Sequence, residues 1–525
     1  MKASLFALVV FIFLVSTVEA QNQQEVGPSV VINEIHYDPD VRTELVEFVE
    51  LYNFGSTSVN LSGWYLSDGI SYQFPSGTIL SAGGYVIIVQ NPDHVRSKWN
   101  NVPRSLIFGP FEGKLRNEGE RIELCNANGE EIDRVDYQLG FPWPTVGDAM
   151  PDNQPGTGHS IQLINSFIDN DLAGSWRSAS PTPAAYNQSV YLDNPPPHIR
   201  QVGHSPKQPV SGEPVIITAK VTDSDGVSNV ILQYQIVEPG RYIPVTVPNF
   251  PSRNPATRPN QDYERGWRSL VMHDDGMNGD EVANDGIYTV RIPGSLQVHR
   301  RLIRYRIVIE DNAGYDLAVP YSDDPQPNFA YFVYDGVPAW RGAINPNGSS
   351  PENRVVTYSA ELMQSLPVYH LLSREVDIQN CQYNRSYDNT EYYFSGTLVY
   401  DGEVYDNVHY RIRGQYSPFQ TGKEKWKFDF SRGHYFQTRD DYGKKYESKW
   451  DKMNVGTGTC PWWQYPHPGN WDRGTRGMML NEALAFRLYN MAGVPSSNTN
   501  FFHLRVIDNA VETSSTNQYE GDFWG

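Results

Sequence analysis

Cysteine is nearly absent, with three residues in 525: Cys125, Cys381 and Cys460. That excludes a scaffold stapled by disulfides. Cys381 and Cys460 fall in the same region and could pair in an oxidising compartment. There is no CxxC, and no two histidines lie closer than His198 and His204, so zinc-finger and HExxH spacings are missing. GxSxG and GxxxxGK[ST] are missing as well. Positive charge is in deficit, 42 Lys and Arg against 61 Asp and Glu, for a formal net charge of −19. A chain of that sign offers no basic surface for nonspecific nucleic-acid binding. Past the first twenty residues no run is apolar enough to form a membrane span.

Aromatics are plentiful: 33 Tyr, 22 Phe and 12 Trp, with charged residues at 20%. This is the composition of a folded, β-rich protein rather than a disordered one, and the length predicts three or four domains. Met1–Ala20 carries Lys2, the apolar run LFALVVFIFLV and a Val-Glu-Ala ending. A run that short between such flanks predicts a signal peptide and export.

Residues 26–187 read as a β-sandwich, because VVINEIHYD, LVEFVELYNF, SVNLSGWYLSD, GGYVIIVQ and RIELCNANGEEIDRVDY are short strands broken by Gly, Asn and Pro. Glu34, Glu47 and Glu50 read as ordinary solvated or cross-strand carboxylates and Trp64 as core. NEI at 33–35, VEFVELYN and LSGWYLSDG resemble the lamin-tail domain, which implies an immunoglobulin-like sandwich used for docking or adhesion. The proline run of DNPPPHIRQ marks the next boundary.

Residues 193–335 read as a second sandwich, with strands on either side of Asp225-Gly226 and again in RYRIVIEDNAGYD and FAYFVYDG. They resemble the immunoglobulin-like domains of bacterial surface proteins. HDDGMNGDEVANDGIY places Asp274, Asp275, Asp280, Glu281 and Asp285 within twelve residues. Calcium takes six to eight oxygens from such loops, so Asp274, Asp275, Asp280 and Asp285 are candidate calcium ligands. Acidic turns without a metal are the competing reading. Residues 336–353 read as a linker.

Residues 354–525 begin with a short helix and strand and then a hairpin, EYYFSGTLVY and EVYDNVHYRIRG about Asp401-Gly402. Val408, Tyr410 and Ile412 alternate with His409, Arg411 and Arg413. In KEKWKFDF, Trp426, Phe428 and Phe430 alternate with Lys423, Lys425, Lys427 and Asp429. Two strands with basic residues on one face predict an anion site. Leu480, Leu484, Leu488 and Met491 recur at helical spacing, and Gly493 and Pro495 end the helix. The bunched Trp462, Trp463 and Trp471 permit a carbohydrate platform, with packing over the lobe as the alternative.

YRIRGQYS with GKEKWKFDF, then RGMMLNEALAFRLYNMAGVPSSNTNFFHLRVID and YEGDFWG, resemble the spore-coat protein H (CotH) kinase-like family. The resemblance implies an α+β kinase-like small lobe and phosphate transfer from ATP with a divalent metal. It also implies site roles. Lys423, or else Lys425, would hold the phosphates, Glu482 would orient that lysine, and Arg413 and Gly414 at the loop mouth would approach a phosphate. The family's catalytic and metal-binding aspartates lie beyond the matched region. The expected architecture is therefore mainly β: two immunoglobulin-like sandwiches, then an incomplete kinase-like lobe that is inactive by itself. A non-enzymatic surface protein using a degenerate kinase-like module is the alternative.

Overall fold

A computed structural model of the chain describes residues 29–146, 158–248, 257–342, 349–350, 353–384, 387, 392–413, 425–440, 442–456, 480–514 and 521–525. Met1–Ala20, Gly414, Lys423, Cys460, Trp462, Trp463 and Trp471 lie outside these residues.

Strand-forming runs dominate, and they assemble as a mainly β protein. The first sandwich packs a six-stranded sheet against a five-stranded one. The larger runs Trp176–Ala179, Ser160–Leu163, Val30–His36, Phe48–Asn53, Tyr85–Val89 and Ile107–Phe108 in spatial order. The smaller contains Glu131–Gln138, Gly119–Cys125, Tyr65–Ser67, Ile70–Gln73 and Glu112–Gly113. Their inner faces share one core, which includes Ile32, Leu51, Trp64, Ile88, Leu124 and Trp176. Trp64 is a core residue, as expected.

The second sandwich sets His198–Ser205, Val215–Thr222 and Ile287–Ile292 against a sheet centred on Val227–Val237 and Leu302–Asp311. Strands Val215–Thr222 and Val227–Val237 stand on either side of Asp225-Gly226, as expected, without pairing with each other. The strands before and after it belong to different sheets, and of the pair only Gly226 has positive φ, at 97°. At Asp401-Gly402 both residues do, 54° and 71°. That is what a two-residue primed turn requires, and there Phe394–Tyr400 does pair with Glu403–Ile412 through Tyr400↔Glu403. Part of the stretch read as a linker is a strand: Trp340–Gly342 pairs with Val356–Tyr358.

The third sheet has the order Lys452–Val455, Trp426–Asp429, Glu403–Ile412, Phe394–Tyr400, Val368–Leu372 and His503–Ile507. The last two strands are parallel and the rest antiparallel. Helix Glu375–Tyr383 buries Ile378 and Cys381. The sheet does not stand apart from the second sandwich. Val237, Leu302 and Phe332 of the sandwich share a core with Leu372, Val399 and Ile507 of the sheet. Arg304 and Asp406, fully buried, form an ion pair across the same junction. The first sandwich reaches the third sheet through Arg432–Asp38 at 2.9 Å and through Gly140 against Gly433. A Cβ on Gly140 would lie 3.0 Å from the Gly433 Cα.

Candidate functional site

The two basic strands bury their apolar face as the alternation requires: Val408, Tyr410, Trp426, Phe428 and Phe430 are all core. Their other face is not an open anion site. The Lys427 ammonium donates to the Tyr393 hydroxyl at 2.8 Å and lies 3.2 Å from the buried Asp429 carboxylate. The Arg411 guanidinium sits 4.9 Å from the centroid of the Tyr393 ring. Aromatic and carboxylate cover has consumed these cations.

The cations that still face solvent stand at the strand ends. Arg413 N–H donates to the Lys425 carbonyl at 2.8 Å, which extends the ladder one step beyond Ile412↔Trp426 and holds the two basic residues side by side. Both line a cavity of about 430 Å³, together with Lys452 from the neighbouring strand and Glu482 from the helix Leu480–Met491. Three expected residues, Arg413, Lys425 and Glu482, are thus brought together. Glu482 makes a loose ion pair with Arg413 at 3.7 Å rather than with a lysine. Both partners are partly exposed, so water screens the pair strongly. Among the described residues lining the cavity, Glu482 has the one acidic side chain.

The cavity wall is aromatic. Trp426 and Trp524 meet edge-to-face with centroids 5.4 Å apart, and Phe436, Phe502 and Leu504 complete it. Neither indole N–H has a hydrogen-bond acceptor among the described residues, although a buried indole normally finds one. Trp524 is held by the chain end, where its N–H donates to the Leu504 carbonyl at 2.9 Å. The helix presents an unexpected side. Glu482, Ala483 and Phe486 line the cavity, whereas Leu484, Leu488 and Met491 of the apolar stripe are exposed. Its end is as expected: Gly493 has φ 77°, and Val494 N–H returns to the Tyr489 carbonyl at 2.9 Å.

The acidic residues that follow are committed elsewhere. Glu512 accepts from His299 at 2.9 Å, and Asp522 accepts from Arg300 at 2.5 Å. Burial pushes the Asp522 carboxyl up, to about 7, against the pull of Arg300 and Arg505. Asp508 is also pushed up by burial, to about 6.

In the second sandwich, carboxylate oxygens of Asp274, Asp280 and Asp285 lie within 4.8 Å of one another, and Asp275 is not part of that group. Asp274 also accepts from Gly286 N–H at 2.9 Å and Asp280 from Gly276 N–H at 2.6 Å. These are turn-forming bonds that need no metal. A second trio, Asp223, Asp225 and Asp311, escaped the sequence reading. Its only sequence signal is the acidic turn at Asp223–Gly226, because Asp311 comes from a distant strand.

Of the two readings of the first sandwich's glutamates, the cross-strand one holds for Glu34 and Glu50 and the solvated one does not. Glu34 and Glu50 face each other across adjacent strands, and both are fully buried, with Glu47 nearly so. Glu34 accepts from the Ser160 hydroxyl at 2.5 Å, the Thr182 hydroxyl at 2.9 Å and the Thr182 N–H at 3.0 Å. Glu50 accepts from Asn33 at 2.7 Å and Ala184 N–H at 2.6 Å. The pair clamps the segment around 182–187 onto the sheet. Residues 23–138 match the Lamin Tail Domain. The larger sheet of the first sandwich goes further than that match, since Val30–His36 pairs with Ser160–Leu163.

No curated protein matches the chain. Among solved structures, a tetra-tandem repeat from the extending region of a large adhesion protein aligns at 7% identity, over 82% of this chain and 87% of that one, with a TM-score of 0.18. A Ca²⁺-stabilised adhesin of an Antarctic bacterium aligns at 9% identity, over 82% and 97%, with a TM-score of 0.14. The trypsin-activated alpha-2-macroglobulin of Escherichia coli aligns at 8% identity, over 82% and 22%, with a TM-score of 0.17. Scores this low carry no argument about fold or function. Among the described residues no helix is long and apolar enough to cross a membrane.

Proposed function

We propose that this is an exported surface or extracellular protein in which the lamin-tail and second sandwiches display a phosphate-binding, CotH-like lobe. One observation carries the reading. Arg413, Lys425 and Lys452 converge on a single aromatic-walled cavity of about 430 Å³, a size suited to a nucleotide-like ligand. Cations at the rim would meet phosphate charge, and the ring-lined wall would take a flat apolar group. ATP with a divalent metal is the ligand this reading names. If the lobe transfers phosphate, carboxylates besides Glu482 must hold the metal.

The second reading, a non-enzymatic adhesion protein that uses the lobe only for binding, draws support from the engagement of Glu512 and Asp522 with His299 and Arg300. The Asp274, Asp280 and Asp285 cluster accompanies either reading as a proposed calcium site.

Calorimetric titration of the full chain with ATP and magnesium tests the cavity. Lys425→Ala is expected to weaken binding by roughly tenfold or more, the loss of one charge-assisted phosphate contact. The same change at Lys444, exposed on a turn, is expected to do nothing. Equal affinity in wild type and Lys425→Ala would remove phosphate from this cavity. Measured phosphate transfer by the chain would separate the catalytic reading from the adhesive one.

A further inference from the structure

The lamin-tail sandwich holds a second cavity, about 270 Å³, away from the basic one. Its walls are tyrosine. Tyr52 and Tyr85, a cross-strand pair, stack with ring centroids 4.5 Å apart and planes 13° from parallel. Tyr186 and Tyr191, from the clamped segment, lie 5.0 Å apart. All four line the same cavity, with Phe167 at the rim and Asp193 as the one charged residue among its described lining. Phe167 is 75% exposed and Tyr186 48%, an unusual amount of open ring surface beside a concave site.

The arrangement is built rather than incidental. Glu34 and Glu50 anchor the segment through Thr182 and Ala184. Asn187, which is buried, donates to the carbonyls of Asn33 at 3.1 Å and Leu163 at 3.0 Å. The Tyr191 N–H then closes on the Asn187 carbonyl at 2.9 Å. The rings on the loop are therefore held opposite the rings on the strands by buried bonds, so little ordering remains to be done when a ligand enters.

The electrostatic sign of the site selects its ligand. Aromatic faces carry negative potential, and Asp193 adds a formal charge. No Lys, Arg or His is among the described residues that line it. A sugar platform has no need of that sign, and an anion would be repelled by it. A bare ammonium would want several acceptors for its N–H groups, whereas an alkylated ammonium has few or none and presents a charged, apolar surface to ring faces. We propose that Tyr52, Tyr85, Tyr186 and Tyr191, with Asp193, form an aromatic cage for an alkylated ammonium head group. The volume sits at the small end of ligand sites, which fits a head group rather than a whole small molecule.

The test is ligand binding by the full chain, followed by NMR, with choline, Nε-trimethyl-lysine and the neutral isostere 3,3-dimethylbutanol. Saturable binding of choline or trimethyl-lysine, at least about tenfold tighter than the isostere, is expected, and the stronger of the two identifies the source of the head group. Tyr191→Ala should weaken that binding roughly tenfold, and Tyr191→Phe, which keeps the ring face, should restore it. Should Tyr191→Ala misfold, contacts between the ligand methyl protons and tyrosine ring protons in the wild type serve instead. Equal binding of the neutral isostere overturns the proposal. So does an absence of saturable binding up to about 10 mM, or methyl contacts to residues outside the cage. None of these outcomes bears on the basic cavity, whose ligand is of opposite charge.

Discussion

Replacing Asp406 with alanine is expected to destabilise the junction between the second sandwich and the third sheet by about 3–5 kcal/mol, because it leaves a buried guanidinium without its counter-charge. Arg304 donates to both carboxylate oxygens of Asp406, at 2.6 and 3.0 Å. Its Nη1 donates to Gln235 and the Ile243 carbonyl, at 3.0 and 2.6 Å. Asp406 in turn accepts from Thr397 at 2.6 Å, Asn328 at 2.8 Å and the Asn407 N–H at 2.8 Å. Burial pushes the Asp406 carboxyl up, yet Arg304 and the hydroxyl and amide donors outweigh it and hold the group below the ordinary range. Its stabilising contribution is therefore present above the unfolded carboxylate pKa and is lost only as the pH falls through the lower folded value.

The double variant Arg304→Met with Asp406→Leu is expected to recover part of the loss and not all of it. Apolar replacement removes the charge cost, but Thr397, Asn328 and Asn407 would keep donors without an acceptor. Urea unfolding followed through hydrogen exchange on both sides of the junction checks this. In the wild type the Leu302–Asp311 and Glu403–Ile412 strands should lose protection together, and in Asp406→Ala they should separate. Unchanged, coincident loss would mean that the pair does not couple the two units.

Local rules carried the sequence reading furthest where a local cause decides the structure. The Asp401-Gly402 hairpin and the Gly493 stop both depend on backbone conformations that few residues adopt, so the residue types alone announce them. At Asp225-Gly226 the expected turn is there between two strands, but with one positive φ it carries the chain across to another sheet. The basic cavity was half legible. Alternation located the buried face of both strands, but which cations remain open depends on Tyr393, whose position is set by chain far from Lys427 in sequence. The stripe of Leu484, Leu488 and Met491 was legible as a helix and misleading as to its buried side. Periodicity reports that an apolar face exists and says nothing of what lies against it. The tyrosine cage had no sequence signal at all, because its two halves lie about 100 residues apart and meet only through buried side chains.

Glu34 and Glu50 show the same limit with an energetic consequence. These carboxylates read as solvated or as cross-strand partners; they are cross-strand partners, and a covering segment buries them. Burial pushes the Glu34 carboxyl up to about 7, and it raises Glu50 well above its ordinary value, with the charge of Glu34 adding to the effect. Glu34 has more donors, so the shared proton belongs on Glu50. Because the folded values exceed the unfolded one of about 4.3, the contribution of the pair to stability is complete below that pH. It is lost as the pH rises through 7. A shift of this size corresponds to a loss on the order of 3 kcal/mol by alkaline pH.

Glu50→Gln copies the protonated acid. It is expected to be more protected than the wild type already at pH 6, and by a margin that grows toward pH 9, measured as hydrogen-exchange protection of the Val30–His36 and Phe48–Asn53 strands. The buried histidines act in the opposite direction, since burial lowers His36 to about 4 and His198 to about 4, and so they weaken the fold only below pH 6.5. A comparison restricted to the alkaline side therefore isolates the glutamates. If wild type and Glu50→Gln lose protection in parallel between pH 6 and 9, the proton is not on Glu50, and the donors around the pair stabilise two full charges in the core.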